Sequence, residues 1–128
     1  EFLGSANIFY GRLAEKSGER WQVETQHGLF TVNASNAPEK AVGDMVTFTV
    51  GAEKMQISPN DSKSRGLRAR IVGEEFTGGT VMIFLESETG EELKVQKSHD
   101  ELQSIDLQAG GNLILHWEPD SSHVLPGE

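Results

Sequence analysis

Hydrophobic and polar residues alternate along most of the chain, and short turn-forming sequences separate the alternating stretches. Period-two alternation is typical of strands with one buried face, and glycine in the separating sequences provides the backbone torsions that tight turns need. The pattern predicts ten strands, at Ile8–Ala14, Arg20–Thr25, Leu29–Ala34, Met45–Val50, Lys54–Ile57, Leu67–Phe76, Thr80–Glu86, Glu91–Lys97, Asn112–Trp117 and His123–Leu125. The sequence therefore predicts an all-β protein.

The first five predicted strands and the last five repeat one another. Residues 42–50 share their pattern with residues 109–117, and the match continues without a gap until Ile57 aligns with Val124. A repeat of roughly 65 residues is longer than the repeats of solenoid proteins. It indicates an internal duplication of one small β unit.

Five strands per unit is the strand count of the OB barrel, so we predict two OB-like units, at residues 8–64 and 65–128. A single larger β-sandwich is the alternative. In the second unit, Ser98 and Glu101 have the spacing of a capping box, in which two side chains satisfy the free amide groups at a helix start. We therefore predict one short helix in the second unit, at the place where an OB barrel has its helix.

The chain has 20 acidic and 11 basic residues, which gives a formal net charge of −9. Because phosphate binding needs a positive field, this charge argues against nucleic acid as a partner. It disfavours an OB-type nucleic-acid binder, a third hypothesis that the fold alone would allow. No apolar run approaches the roughly 18 residues that a membrane span needs, so we expect no direct membrane insertion.

The sequence contains no complete pattern for catalysis or for metal binding. Cysteine is absent, which excludes disulfides and thiolate ligands. The glycine-rich phosphate-binding loop of ATPases and the serine nucleophile elbow of hydrolases are absent as well. His116 and Glu118 fall on one face of a strand, but zinc needs three or four ligands. We predict no catalytic, cofactor-binding or metal-binding residues and no enzyme activity in this chain.

Four stretches of the sequence resemble a known domain family. They are Phe2 to Asn7, Val42 to Val46, Glu53 to Ser58 and Trp117 to Asp120. In sequence, order and spacing they resemble the transport-associated OB (TOBE) domain at the C-terminus of the ATP-binding subunits of bacterial ABC importers. The Trp-Glu-Pro-Asp ending is similar to that of subunits in the polyamine, ferric iron and aminoethylphosphonate group. Gly51 and Ala52 depart from the Arg-Pro that the family usually has there.

The resemblance implies that residues 1–7 are a linker from an upstream ATPase domain, and a start at Glu1 without methionine agrees with an excised piece. The upstream domain would bind MgATP, whereas we expect no cofactor in this fragment itself. The implied partners are the ATPase domain of the same chain, a second copy of the subunit as a homodimer, and membrane permease subunits. The implied location is cytoplasmic, at the inner face of the cell membrane.

Two functions remain open at this point. The first is a non-catalytic domain that regulates the ATPase or supports its dimer. For this function we expect contacts at Phe2, Gly4, Asn7, Glu53, Arg65, Arg68 and Arg70. The alternative is a domain that senses a small oxyanion or solute, since duplicated β domains of this kind bind molybdate. Its expected ligand contacts are Ser58, Lys97 and Ser98.

Overall fold

Buried and exposed side chains alternate along most of the described strands of this protein. We describe it from a computed structural model, over residues 6–35, 37–59, 66–103 and 111–125. Within these ranges there are ten strands and one α-helix. The strands are β1 (Ala6–Ser17), β2 (Arg20–Thr25), β3 (Gly28–Asn33), β4 (Met45–Gly51), β5 (Gln56–Pro59), β6 (Leu67–Thr77), β7 (Thr80–Ser87), β8 (Glu92–Ser98), β9 (Asn112–His116) and β10 (Ser122–Val124). The prediction of an all-β fold is confirmed.

Five of the strands close into a barrel in the order β1-β2-β3-β10-β4. This barrel unit consists of residues 6–51 and 117–125. Its neighbouring strands are antiparallel except at the contact of β10 with β3, where His123 pairs with Asn33 in parallel. Most of the inward residues are apolar, and Phe9, Val23 and Phe48 are at most 1% exposed. Burial of one face of each strand explains the alternation in the sequence.

The other five strands form a sheet in the order β5-β9-β6-β7-β8, which leaves β5 and β8 as edge strands. This sheet unit lies within residues 52–116. Its helix α1 (His99–Leu102) follows β8 directly, and Ser98 is the residue that caps it. The predicted short helix of the second unit is therefore confirmed. One of the two short 3-10 turns, Ala52–Lys54, precedes β5, and the other, Pro119–Ser121, belongs to the barrel unit.

Each unit takes its last strand from the opposite half of the chain. Strand β5 pairs with β9 from Gln56 opposite His116 to Pro59 opposite Leu113, whereas β10 pairs with β4 of the barrel. The predicted units at residues 8–64 and 65–128 therefore differ from the units of the structure. Alternation shows which side chains of a strand point inward, but it does not show which sheet the strand joins.

The two units share one local irregularity, which supports their origin as a repeat. In the barrel unit, the first hairpin has a register shift between Leu13 and Glu15. In the sheet unit, the hairpin of β6 and β7 has a register shift between Ile71 and Gly73. A bulge of this kind bends and twists a strand, which lets β1 and β6 each pair with two different neighbours.

Aromatic rings stack on one another in the barrel unit. One of them is Trp117, which begins the late segment of this unit, residues 117–125. The ring of Trp117 stacks on Phe9 at 5.2 Å and on Phe30 at 4.9 Å, with interplanar angles of 23° and 29°. Phe9 stacks in turn on Phe48 at 5.2 Å. Offset stacking at these distances adds to the burial of the rings themselves.

Polar contacts hold the rest of the late segment in place. The buried hydroxyl of Ser122 donates to the carbonyl of Pro119 at 2.7 Å and accepts from the backbone N–H of Asn33 at 3.4 Å. Arg20 and Asp120 form an ion pair at 2.9 Å. Because both charged groups are largely exposed, that ion pair contributes at most about 1 kcal/mol, and the rings and Ser122 matter more.

Replacing Trp117 with alanine should destabilise the barrel unit by about 2 kcal/mol, because the stack loses a half-buried ring that contacts both Phe9 and Phe30. The matched control is Leu29→Ala, since Leu29 is 58% exposed on the same barrel. It should change the free energy of unfolding by no more than about 0.5 kcal/mol. Urea unfolding followed by far-ultraviolet circular dichroism measures both, and equal effects would contradict the proposed role of the stack.

Candidate functional site

The described residues among those that the resemblance assigned to partner contacts differ in exposure and in local contacts. Asn7 is only 4% exposed, and its Nδ2 donates to the carbonyl of Val50 at 3.4 Å. It therefore supports the pairing of β1 with β4 rather than a partner surface. Glu53 is exposed in the 3-10 turn before β5. Phe2, Gly4 and Arg65 lie outside the described residues.

Arg68 and Arg70 are exposed on the same face of β6. Arg70 donates to Glu86 of the neighbouring strand at 2.6 Å, and both side chains are about half exposed, at 50% and 42%. The cation of Arg70 is thus already paired within the sheet unit. Such a pair is screened by solvent and favours the register of β6 and β7 by a modest amount.

Two of the three predicted ligand contacts are engaged in local hydrogen bonds. Ser58 Oγ lies 3.0 Å from Nε2 of His116, across the pairing of β5 with β9. The Ser98 hydroxyl accepts from the backbone N–H of Glu101 at 3.2 Å, while the Glu101 carboxylate accepts from the backbone N–H of Ser98 at 2.9 Å. Together these bonds form the capping box that the sequence predicted.

The capping box also sets the charge of Glu101. A hydrogen bond from the backbone N–H of Ser98 is the main cause that lowers the pKa of the Glu101 carboxyl below its ordinary value of 4.5. The Ser98 hydroxyl and the nearby cation of Lys97 lower it further, whereas the slight burial acts in the opposite direction. Glu101 is therefore a carboxylate at neutral pH.

A shallow cavity of about 260 Å³ lies at the edge strands of the sheet unit. It is lined by Gln56 and Ile57 of β5, by Lys97 of β8 and by Glu101 of α1. Lys97 is the predicted ligand contact that lines it, and it shares the cavity with a carboxylate. The mixture suits a small polar molecule that carries both charges better than it suits an oxyanion, which Glu101 would repel.

No metal centre is evident in the described ranges, where no three His, Cys, Asp or Glu side chains converge. Over the same residues, no helix has the length and apolar character to cross a membrane.

The sequence pattern did not identify the β5 residues or Glu101 as lining residues, and it did not identify the pairing of Ser58 with His116. The sequence did single out Glu101, but as part of the capping box of α1. The other two depend on which strands are neighbours, and alternation does not reveal that.

The TOBE domain family model matches residues 50–125. The spermidine/putrescine import ATP-binding protein PotA of Rubrobacter xylanophilus is 24% identical over 129 residues, which cover 100% of this chain and 33% of PotA. This chain thus spans about a third of the length of that relative. Among solved structures, the cytoplasmic molybdate-binding protein ModG with molybdate bound has a TM-score of 0.76. That match has 15% identity over 92% of this chain and 94% of the ModG chain, and it shows a shared fold.

Replacing Ser98 with alanine should destabilise the sheet unit by about 1 kcal/mol, because α1 loses the hydroxyl that caps it. Ser35→Ala is the control, since Ser35 is exposed in a loop of the barrel unit. Urea unfolding measures both variants. A loss in Ser98→Ala no larger than that in Ser35→Ala would show that the cap adds nothing to stability.

The lowered pKa of Glu101 predicts a pH dependence with a definite sign. A carboxyl whose pKa is lower in the folded chain stabilises the fold above its ordinary value and loses that contribution as the pH falls through the folded value. The difference in unfolding free energy between the native chain and Glu101→Gln should therefore be largest above pH 4.5 and shrink below it. A difference that is constant across a pH series of urea unfolding experiments would contradict this.

Proposed function

This chain belongs to the TOBE domain family, and on that premise we propose that it is the C-terminal domain of the ATP-binding subunit of a bacterial ABC importer. The observation that carries the proposal is the match to PotA, which extends over the whole chain but over a third of the relative. The remaining two thirds of such a subunit is the expected place of the ATPase domain.

In this proposal the domain performs no chemistry and supports the pairing and the regulation of the ATPase. MgATP binds to the upstream domain, and the membrane permease subunits and a second copy of the subunit are the further partners. The subunit works in the cytoplasm at the inner face of the membrane. A role without chemistry agrees with Ser58, Ser98 and Arg70, whose polar groups are engaged in a cross-strand pair, a helix cap and an ion pair.

PotA is a spermidine/putrescine import protein, and the ending from Trp117 to Asp120 resembles that of the polyamine, ferric iron and aminoethylphosphonate group. We propose a transporter of this group. The structure adds a reason for the ending, because Trp117 completes the aromatic stack of the barrel. Packing within the barrel thus accounts for the tryptophan itself, and the proposed transporter group is supported by the ending as a whole and by the match to PotA.

Removing this domain from the parent subunit should leave nucleotide binding intact and change the ATPase rate or the stability of the subunit dimer. The physical reason is that this domain has no phosphate-binding loop for the nucleotide, whereas its surface can contact the ATPase domain and the second subunit. ATP binding, ATP hydrolysis and sedimentation of the truncated and complete subunits measure the three quantities. The proposal fails if hydrolysis, dimerisation and solute uptake all stay unchanged.

The oxyanion alternative has less support in the structure. Titration calorimetry of the 128-residue chain with molybdate or phosphate should give no saturable binding at micromolar concentration, because Glu101 shares the cavity with Lys97. Glu101→Gln, which removes the carboxylate, is the informative control. Micromolar binding by the native chain that Lys97→Gln abolishes would favour the sensor function instead.

A further inference from the structure

The outer surface of the barrel unit has an apolar face where β1, β4 and β10 are neighbours. Ile8, Tyr10, Met45 and Leu125 point outward there, and they are 48%, 60%, 55% and 36% exposed. Among the described residues these are four of the eight large hydrophobic side chains that are exposed. We call this surface, with Thr47 and Thr49 between the four residues, the β1–β4–β10 face.

The pairing of the three strands makes this face continuous. Tyr10 lies opposite Thr47, and the backbone N–H of Leu125 donates to the carbonyl of the same threonine at 2.8 Å. Ile8 lies opposite Thr49, and Arg12 lies opposite Met45. Side chains that are directly opposite on neighbouring antiparallel strands have Cβ atoms about 5 Å apart. The exposed side chains therefore form one patch and are not scattered over the barrel.

The size of the patch matches the apolar part of a stable interface. From the exposed fractions, its four apolar side chains present on the order of 450 Å², which is within the range of about 300–600 Å² for the largest apolar patch of a typical monomer. Each partner in a standard interface buries about 800 Å². Since about 56–65% of such an area is apolar, the patch supplies the apolar share for one partner.

The charges on the face indicate which partner it suits. The chain carries a net charge of −9, so two copies repel each other over most of their surface. From Ala6 to Arg12, along β4 and from Ser122 to Leu125, no described outward position has a carboxylate. Over these ranges the outward titratable groups are Tyr10, Arg12 and His123, and the carboxylates of Glu15, Glu24 and Asp44 lie beyond them, next to Arg12 and Met45. Carboxylates therefore lie at the Arg12 end of the face and not within it, so two copies can approach through its centre.

We propose that the β1–β4–β10 face binds the same face of a second copy of this chain. The proposal rests on the proposed function, in which the subunit works as a pair, and it names the surface. In a two-fold interface each residue contacts the partner's equivalent patch, so the surface must complement itself. The rim allows this, because Arg12 and Glu24 lie opposite each other on β1 and β2. The Arg12 of one copy can then pair with the Glu24 of the other.

Sedimentation velocity across a micromolar concentration series tests this on the 128-residue chain. The native chain should show a reversible dimer of twice its mass of 14.0 kDa. Tyr10→Glu places a carboxylate at the centre of the face and should raise the dimer dissociation constant at least about tenfold. Leu29→Glu is the matched control, since Leu29 is 58% exposed on the same barrel but outside the face. It should leave the dissociation constant within about twofold.

Circular dichroism of each variant verifies that it is folded. If Tyr10→Glu does not fold, Tyr10→Ser and Met45→Ser remove apolar area without adding charge and should weaken the dimer together. A native chain that stays monomeric throughout the series overturns the inference. So does a dimer that Tyr10→Glu leaves unchanged, or one that Leu29→Glu weakens equally.

The result is independent of the domain-removal test. A chain that stays monomeric would overturn the assigned face while an effect of domain removal on ATP hydrolysis would keep the proposed function. A dimer through this face, with no effect of domain removal on hydrolysis, dimerisation or uptake, would keep the assigned face and overturn the proposed function.

Discussion

The stacking of Trp117 between Phe9 and Phe30 is the interaction on which the barrel unit depends. Strand β10, which follows Trp117, has three residues, and a strand of that length contributes few ladder hydrogen bonds. The half-buried ring of Trp117 and the two hydrogen bonds of Ser122 therefore have to fix it. Once fixed, β10 pairs with β3 and β4 and removes the two edges that the barrel would otherwise expose.

This arrangement makes the sheet unit an insertion between the two parts of the barrel unit. Residues 52–116 separate β4 from Trp117, yet Ser122 pairs directly with Val50. Closing so long a loop costs conformational entropy before any contact compensates for it. The sheet unit reduces this cost when it folds first, because its antiparallel β5 and β9 bring residues 56 and 116 opposite each other. The fold of one unit thus prepares the closure of the other.

The sequence predicted the strands, the capping box and the repeat, since each has a local signature. The bounds of β2 agree with prediction at both ends, and Ser98 with Glu101 identified the helix. The sequence did not predict that the two units exchange their last strands. The segments around Ile57 and Val124 have the same pattern in the repeat, so the pattern does not show which unit each strand joins. The candidate site was less predictable still. Ser58 was assigned to a ligand, but His116 contacts it across a strand pairing that no local pattern encodes.

The exposed apolar patch and the strongly acidic charge are best understood together. An uncovered apolar area near 450 Å² favours association with many surfaces, which is a hazard for any soluble domain. Eleven basic residues against 20 acidic ones oppose that association through like-charge repulsion. The outward positions around Tyr10 carry no carboxylate, so in the proposed dimer this repulsion is weakest at the β1–β4–β10 face. In the proposed dimer, the acidic composition therefore disfavours contacts through other parts of the surface, just as it disfavours nucleic acid.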